Sequence, residues 1–310
     1  MLESAKIDIV IVNWNAGIQL SDCVESCVKY RGDFVGSIIV VDNGSSDGSD
    51  SLIEAIDGVE LIRAGENLGF GKACNLGASK CQEPLILFLN PDAAIYANTL
   101  LPLRKFMTAP SSQSVGICGI QLHDESGKVA RSCSRFPSVM GLVLHSFGLG
   151  SILRVRSGAM VEWDHLCTRD VDQVIGAFFC VKRSLFNKLK GFDERFFVYF
   201  EEVDFSRRAH VDGWRTVYLA DAQAYHLGGG TSSKVKAKRL FYSLRSRLIY
   251  SKKHFSYLGV FCVALSTLLI EPVSRAGLSI FRFSLQGLKE TALGYGLLYG
   301  WIIKSFRKMN

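Results

Sequence analysis

The chain has 310 residues, 48% hydrophobic and 21% charged, enough to bury a full α/β core and inconsistent with a disordered chain. Its net charge of +7 is uneven: from Thr231 onward 14 Lys and Arg face 2 Asp and Glu, while the first 230 residues carry 22 basic and 27 acidic side chains. The nine cysteines show neither a CxxC pair nor zinc-ligand spacing, which excludes a zinc module and fits a reducing compartment.

The opening MLESAKIDIVIV mixes charges ahead of a short β-branched run with no cleavage site, so no signal peptide is expected. Residues 7–12 read as a first strand, followed by a helix over about 17–30. A second strand spans 37–41 and ends in the turn cluster Asp42-Asn43-Gly44-Ser45-Ser46-Asp47. Residues 59–62 give a third strand, 70–80 a helix, and 84–89 a fourth strand. Strand–helix alternation with continuous apolar strands implies a mostly parallel α/β sheet covered by helices on both faces. Ligands of such sheets sit at the carboxyl ends of the strands, so the turn clusters there are the first candidates. From about 115 to 230 the pattern loosens into shorter strands, an aromatic loop and one acidic helix start. After Gly228-Gly229-Gly230 the chain turns basic and then apolar, which predicts a catalytic domain over 1–230 and a helical region over 231–310.

Four clusters can carry chemistry. Asn13-Trp14-Asn15 and Asp42 close the first two strands; an aromatic beside amides can stack on a nucleobase and a carboxylate can bind ribose, though each also suits an ordinary capped turn. Leu89-Asn90-Pro91-Asp92 closes the fourth strand, where Asp92 can hold a divalent ion that bridges two phosphates; the alternative is again a turn. Glu201, Glu202 and Asp204 open a helix running to about Val211, directly after Phe196-Phe197-Val198-Tyr199-Phe200. Acids favour a helix start at about 0.3–1 kcal/mol each, but three behind an aromatic run exceed what capping needs. Desolvation there would raise a carboxylate pKa and make it a usable general base. His226, before the glycine run, can ligate a metal, donate to phosphate or serve the fold, and the glycine amides can cradle phosphate.

The ordered segments IVIVNWN, IIVVDNGSSD, ENLGFGKACNLG, LILFLNPDA, GAFFCVKRSLF, GFDERFFVYFEEVDFSRRA and HLGGG resemble the inverting family 2 glycosyltransferases over residues 7 to about 250. Among these the chain is most similar to bacterial rhamnosyltransferases of cell-surface polysaccharide assembly, many of which read LNPD where others have Asp-x-Asp. The resemblance implies a GT-A fold and a nucleotide-diphosphate-sugar donor. It implies that Val12, Trp14 and Asp42 hold the nucleobase and ribose, and that Asn67, Gly69, Lys72 and Asn90 line the rest of the donor site. Asp92, with His226 as a second ligand, would bind Mg²⁺ or Mn²⁺. Glu202 stands where the family has its base aspartate, with Glu201 as the alternative because Glu is a methylene longer. Asn90 stands where other members have an acid, leaving one anionic ligand fewer. The implied donor is dTDP-rhamnose, with a UDP-hexose second, and the implied acceptor a polyprenyl-diphosphate-linked saccharide.

In the C-terminal region, 234–253 reads as a basic helix, and the apolar stretch 257–270 ends at Glu271-Pro272, short of the ~20 residues a span needs. Arg275, Arg282 and Lys289 then recur at seven-residue spacing among apolar residues, which suggests a helix lying in a membrane interface. The expected location is the cytoplasmic side of the inner membrane, peripheral or monotopic. A dinucleotide oxidoreductase would need G-x-G-x-x-G after the first strand, where NWNAG stands. A nucleic-acid binder would need aromatics interleaved through the basic run, and only Phe241, Tyr242 and Tyr250 are there, so no nucleic-acid partner is expected. A catalytically inactive scaffold of the same fold is the remaining alternative.

Overall fold

The computed structural model describes residues 5–148, 160, 162–228 and 236–307, with side chains through Ser305. These fall into two compact units, the first within 1–136, 159–197 and 201–231, the second within 137–158, 198–200 and 232–310.

In the first unit the strands are β1 (Ile7–Asn13), β2 (Val35–Asp42), β3 (Val59–Arg63), β4 (Leu85–Leu89), β5 (Ala93–Ile95), β6 (Val115–His123), β7 (Val129–Ala130), β8 (Cys133–Ser134), β9 (Arg169–Val171), β10 (Gln173–Val174), β11 (Phe178–Lys182) and β12 (Arg215–His226). Among the described residues ten of these form one sheet in the order β3-β2-β1-β4-β11-β6-β12-β5, with β7 on β6 and β9 on β12; β8 and β10 pair separately. The β1–β2, β2–β3, β1–β4 and β6–β12 pairings are parallel, whereas β11 runs against β4 and β6, and β5 against β12. The chain winds outward from β1 to β3 and then crosses to β4 on the other side. The sheet therefore changes winding direction between β1 and β4, the position where α/β sheets open a crevice.

Every residue of β1 is buried, because both faces of the sheet are covered. Ile7, Ile9 and Ile11 face one core with Leu20, Cys23, Val24 and Cys27 of α1 (Ile18–Lys29) and Leu100, Leu103 and Met107 of α3 (Leu100–Thr108). Val10 and Val12 face the other, with Ala73 and Cys74 of α2 (Phe70–Ala78), Leu185 and Phe186 of α5 (Arg183–Lys188), and Phe205 and Ala209 of α6 (Glu201–Val211). The buried cysteines pack as small apolar groups, and burial pushes the Cys81, Cys133 and Cys180 thiols up to about 12.

The second unit contains α4 (Val139–Ser146), α7 (Lys236–His254), α8 (Tyr257–Leu265), α9 (Glu271–Phe281) and α10 (Leu285–Arg307). Here the structure corrects the expectation of a short apolar segment. A π-helical turn over Ser266–Ile270 joins α8 to α9, and one helix of 25 residues, Tyr257–Phe281, runs through Pro272; by length and composition it is able to cross a membrane. Proline lacks the N–H that would bond back along the helix, and two tyrosine hydroxyls of α10 take its place: Tyr299 donates to the Leu268 carbonyl at 2.6 Å and Tyr295 to that of Thr267 at 3.2 Å. The seven-residue basic spacing also does not lie on one helix. The chain turns at 282–284, with Phe283 at φ 51°, which puts Arg275 on α9 and Lys289 on α10.

Glu271, the acid that seemed to end the apolar stretch in the sequence, is buried. It pairs with Arg247 of α7, with Arg275 one turn on at 2.7 Å, and accepts from Ser146 of α4 at 3.3 Å. Glu271→Ala leaves Arg247, itself 5% exposed, as an uncompensated buried charge; an expected loss of about 3–5 kcal/mol is checked by chemical denaturation.

Candidate active site

The carboxyl ends of β1, β2, β4 and β12 lie along one edge of the sheet, and Asn13, Asp42, Asp92 and His226 stand at those ends. Asn13 is fully buried, and its amide nitrogen sits 2.9 Å from Asp42 Oδ1, 2.8 Å from Ser49 Oγ and 3.1 Å from Ser45 Oγ. The Ser45 amide donates to Asp42 Oδ2 at 3.2 Å, so Asp42, 5% exposed, orders the loop after β2 as well as facing the edge. Trp14 is half-buried beside Asn15, whose φ of 53° turns the chain out of β1. The Val12 side chain belongs to the core, so what it can offer a ligand is its backbone.

Asn67 and Gly69 are held by a residue the sequence reading did not single out. Asn43, buried at the end of β2, accepts from the Leu68 amide at 2.8 Å and donates to Asn67 Oδ1 at 3.2 Å, and the Gly69 amide also donates to Asn67 Oδ1 at 3.0 Å. The signal was an Asn directly after a strand, a type that commonly bridges backbone groups in turns, but its partners lie about a quarter of a hundred positions away in sequence. Gly69 caps α2 at φ 86°, and a Cβ there would lie 2.4 Å from the Phe197 carbonyl, which already accepts from the Phe70 amide at 2.7 Å. Lys72 projects, exposed, from the first turn of α2.

Asp92 lies between β4 and β5. The antiparallel β5–β12 pairing sets His226 opposite Ala93, which brings His226 Nε2 to 3.4 Å from Asp92 Oδ1. That separation suits an ion pair and is long for a hydrogen bond, and the buried Oδ1 has no well-formed hydrogen bond among the described residues. Burial works to raise the Asp92 pKa, but His226, by bonding and charge, and the Asp92 backbone and Asn90 side chain outweigh it and hold the carboxyl below its ordinary value. Asn90 thus acts on Asp92 as a donor. Among the described residues no group of three or more His, Cys, Asp or Glu converges on one point. Of the glycines expected to cradle phosphate, Gly228 is described, and Gly229 and Gly230 lie outside the described residues.

The acidic helix start is α6. Tyr199 and Phe200, immediately before it, both have left-handed φ, 68° and 72°, a conformation costing bulky residues on the order of 1–3 kcal/mol each. Downstream, Phe205 packs among Phe179, Phe186 and Phe192 at centroid distances of 5.4–5.9 Å. Asp204 is fully buried and paired at 2.8 Å with Arg208, which also donates to the Leu189 and Gly191 carbonyls. Asp204 therefore anchors the helix. Glu201, 4% exposed, packs its Cβ against Gly71 of α2. Glu202 is half-buried, with an Oε2 that is buried and makes no hydrogen bond among the described residues. Burial raises its pKa, against the opposing pull of the amides of Glu202 and Val203.

Residues 8–160 match the Glycosyl transferase family 2 model. The chain is similar, at 29% identity over 259 residues covering 79% of it and 83% of the relative, to the N-acetylglucosaminyl-diphospho-decaprenol L-rhamnosyltransferase of Mycobacterium tuberculosis. It is 26% identical to rhamnosyltransferase WbbL of Escherichia coli K12, over 69% of this chain and 81% of that one. Among solved structures it resembles the Pyrobaculum calidifontis mannosyltransferase PcManGT in complex with GDP-Man and Mn²⁺, with a TM-score of 0.54 at 15% identity, covering 98% of this chain and 84% of that one. It also resembles GalNAc-T7 with UDP, GalNAc and Mn²⁺, with a TM-score of 0.52 at 16% identity over 80% of this chain and 51% of that one. With the winding reversal between β1 and β4 and the polar strand ends beside it, these likenesses identify a GT-A fold, and the chain carries a family 2 glycosyltransferase domain over residues 8–160.

Proposed function

We propose that the chain transfers rhamnose from dTDP-rhamnose, with inversion, to a hydroxyl of a polyprenyl-diphosphate-linked saccharide at the cytoplasmic face of a membrane. The donor and acceptor classes follow the two rhamnosyltransferase relatives, one of whose names carries a decaprenol diphosphate acceptor. The reducing side of the membrane suits nine free cysteines, and the candidate membrane helix suits a lipid-linked acceptor.

The observation that carries the catalytic reading is the buried Asp92 Oδ1, without a well-formed hydrogen bond among the described residues, and His226 Nε2 3.4 Å away at the end of β4. The carboxylate oxygen suits Mg²⁺ or Mn²⁺, and the imidazole nitrogen favours Mn²⁺ of the two; either ion takes few protein ligands when phosphates and water complete the shell. Asp92 and His226 would hold the ion. When bound, it supplies positive charge to the diphosphate as negative charge develops on it. Asp42 and Trp14 orient the nucleoside end of the donor, and the Asn43-braced turn at Asn67–Gly69, with Lys72, flanks its remainder. Glu202 accepts the proton of the acceptor hydroxyl. That oxygen forms the new bond to the anomeric carbon as the bond to the diphosphate breaks on the opposite face, which inverts the centre. Glu202 suits this role better than Glu201 because burial raises its pKa, although the Oε2 atoms of both are buried without a hydrogen bond among the described residues.

Calorimetric titration with dTDP-rhamnose, UDP-hexoses and GDP-mannose, with Mn²⁺ or Mg²⁺ and then with chelator, tests the proposal. The expected result is metal-dependent binding of dTDP-rhamnose. Binding of another donor alone would reassign the sugar. No binding of any donor by folded protein would favour an inactive scaffold.

A further inference from the structure

The second unit contains a cavity of about 360 Å³ bounded by α7, α9 and α10. Lys236 and Arg239 of α7 and Arg275 of α9 line it, with the hydroxyls of Ser243, Ser279 and Thr291. Among the described residues the one acid in the lining is Glu290, whose Oε1 is 3.9 Å from Lys236 Nζ. Arg275 is held by Glu271, while Arg239 has no carboxylate partner among the described residues and is exposed. Cations in excess of acids, interspersed with hydroxyl donors, make a donor set suited to phosphate oxygens.

The surface beside the cavity is apolar. Leu278 lines it at 48% exposure, and Ile280, Phe281, Phe283 and Leu285 at the α9–α10 turn are 63–96% exposed. A soluble anion has no use for such a skin, whereas a lipid presents a phosphate and a hydrocarbon tail together. We infer that this cavity is a second anion site, which holds the phosphate group of a membrane lipid. The inference rests on the proposed action at a membrane. Its ligand is either the diphosphate of the polyprenyl-linked acceptor or the headgroup of an ordinary anionic phospholipid; the chemistry at the cavity is the same.

The test is co-flotation of the full chain with phosphatidylcholine vesicles, undoped or doped to matched surface charge with polyprenyl diphosphate or phosphatidylglycerol. Wild type is compared with Lys236→Ala/Arg239→Ala, with Glu290→Gln, and with Arg282→Ala, an exposed cation outside the cavity. Doping is expected to tighten binding, the double variant to lose about tenfold, Glu290→Gln to gain a few-fold, and Arg282→Ala to change less than about twofold. Loss of a competing carboxylate predicts a gain confined to the doped vesicles, whereas a misfolded variant would also gain on undoped phosphatidylcholine. A stronger response to polyprenyl diphosphate assigns the acceptor, and an equal response assigns any phospholipid. A double variant that binds as wild type does, or loses no more than Arg282→Ala, or a Glu290→Gln variant that binds more weakly, overturns the inference. Calorimetric donor binding on the same samples separates the two readings. Donor binding with no effect at the cavity sinks this site alone, and absent donor binding in wild type sinks the proposed transfer reaction while the vesicle result stands by itself.

Discussion

Asp92→Ala is expected to abolish metal-dependent donor binding and to lower kcat/KM by about 10³-fold, while the protein stays folded. A diphosphate leaving group departs with heavy negative charge, and loss of one preorganised charge-stabilising group costs roughly 10²–10³ in rate. Asp92 is also the anionic half of the Asp92–His226 pair, and Asn90 beside it brings no charge that could substitute. The stability change should be small, because Oδ1 makes no well-formed hydrogen bond and the turn is held by backbone bonds, Ala93 to Asn90 at 3.1 Å and Leu227 to Asp92 at 3.0 Å. Turnover kinetics with calorimetry at fixed Mn²⁺ checks this; donor affinity that stays at the wild-type level and ignores chelator would remove Asp92 from the metal site.

The second large effect concerns Glu202. Glu202→Gln should cut kcat by roughly 10²–10⁴ and leave donor affinity unchanged, the signature of a lost base rather than a lost binding group. Glu201→Gln keeps the Cβ and Cγ that pack on α2 and should leave kcat within a few-fold of wild type. The pH profile gives a further readout. Burial raises the Glu202 pKa, so the rate should fall as pH drops through a value above the ordinary glutamate range, and the Gln variant should lose that limb. The stability sign is the reverse. The folded chain binds this proton more tightly than the unfolded chain, so its stabilising contribution is full below the unfolded pKa and is lost as pH rises through the folded one. At neutral pH Glu202→Gln should therefore melt higher than wild type while turning over more slowly. A variant that melts lower with an unchanged pH–rate profile would point to a structural glutamate.

The left half of the sheet was legible in the sequence because its strands are unbroken apolar runs between turn clusters. The second strand was expected over 37–41 and spans Val35–Asp42; the acidic helix was expected to reach Val211 and does. What periodicity cannot give is strand direction. Phe178–Lys182 is buried on both faces like its neighbours, so nothing in its side chains reveals that β11 runs antiparallel between β4 and β6. The same limit hid the β5–β12 pairing that brings His226 to Asp92, although each residue was identifiable by itself. Asn43 escaped notice because its value lies in bonds to Asn67 and Leu68. Glu271 read as the end of an apolar run because a charge in such a run is costly unless paired, and its partner Arg247 sits on another helix.

The position of β12 also bears on how the protein is made. Asp92 leaves the ribosome early, but the strand that supplies His226 comes at 215–226 and must pair with β6, β9 and β5 before the sheet closes. The proposed nucleoside end of the site draws on β1, β2 and the turn before α2, all of which leave the ribosome before that strand. The proposed nucleotide-facing residues are thus all synthesised well before the last of the proposed phosphate-facing ones, and β12 also supplies Val217, Leu219 and Tyr218 to the two cores.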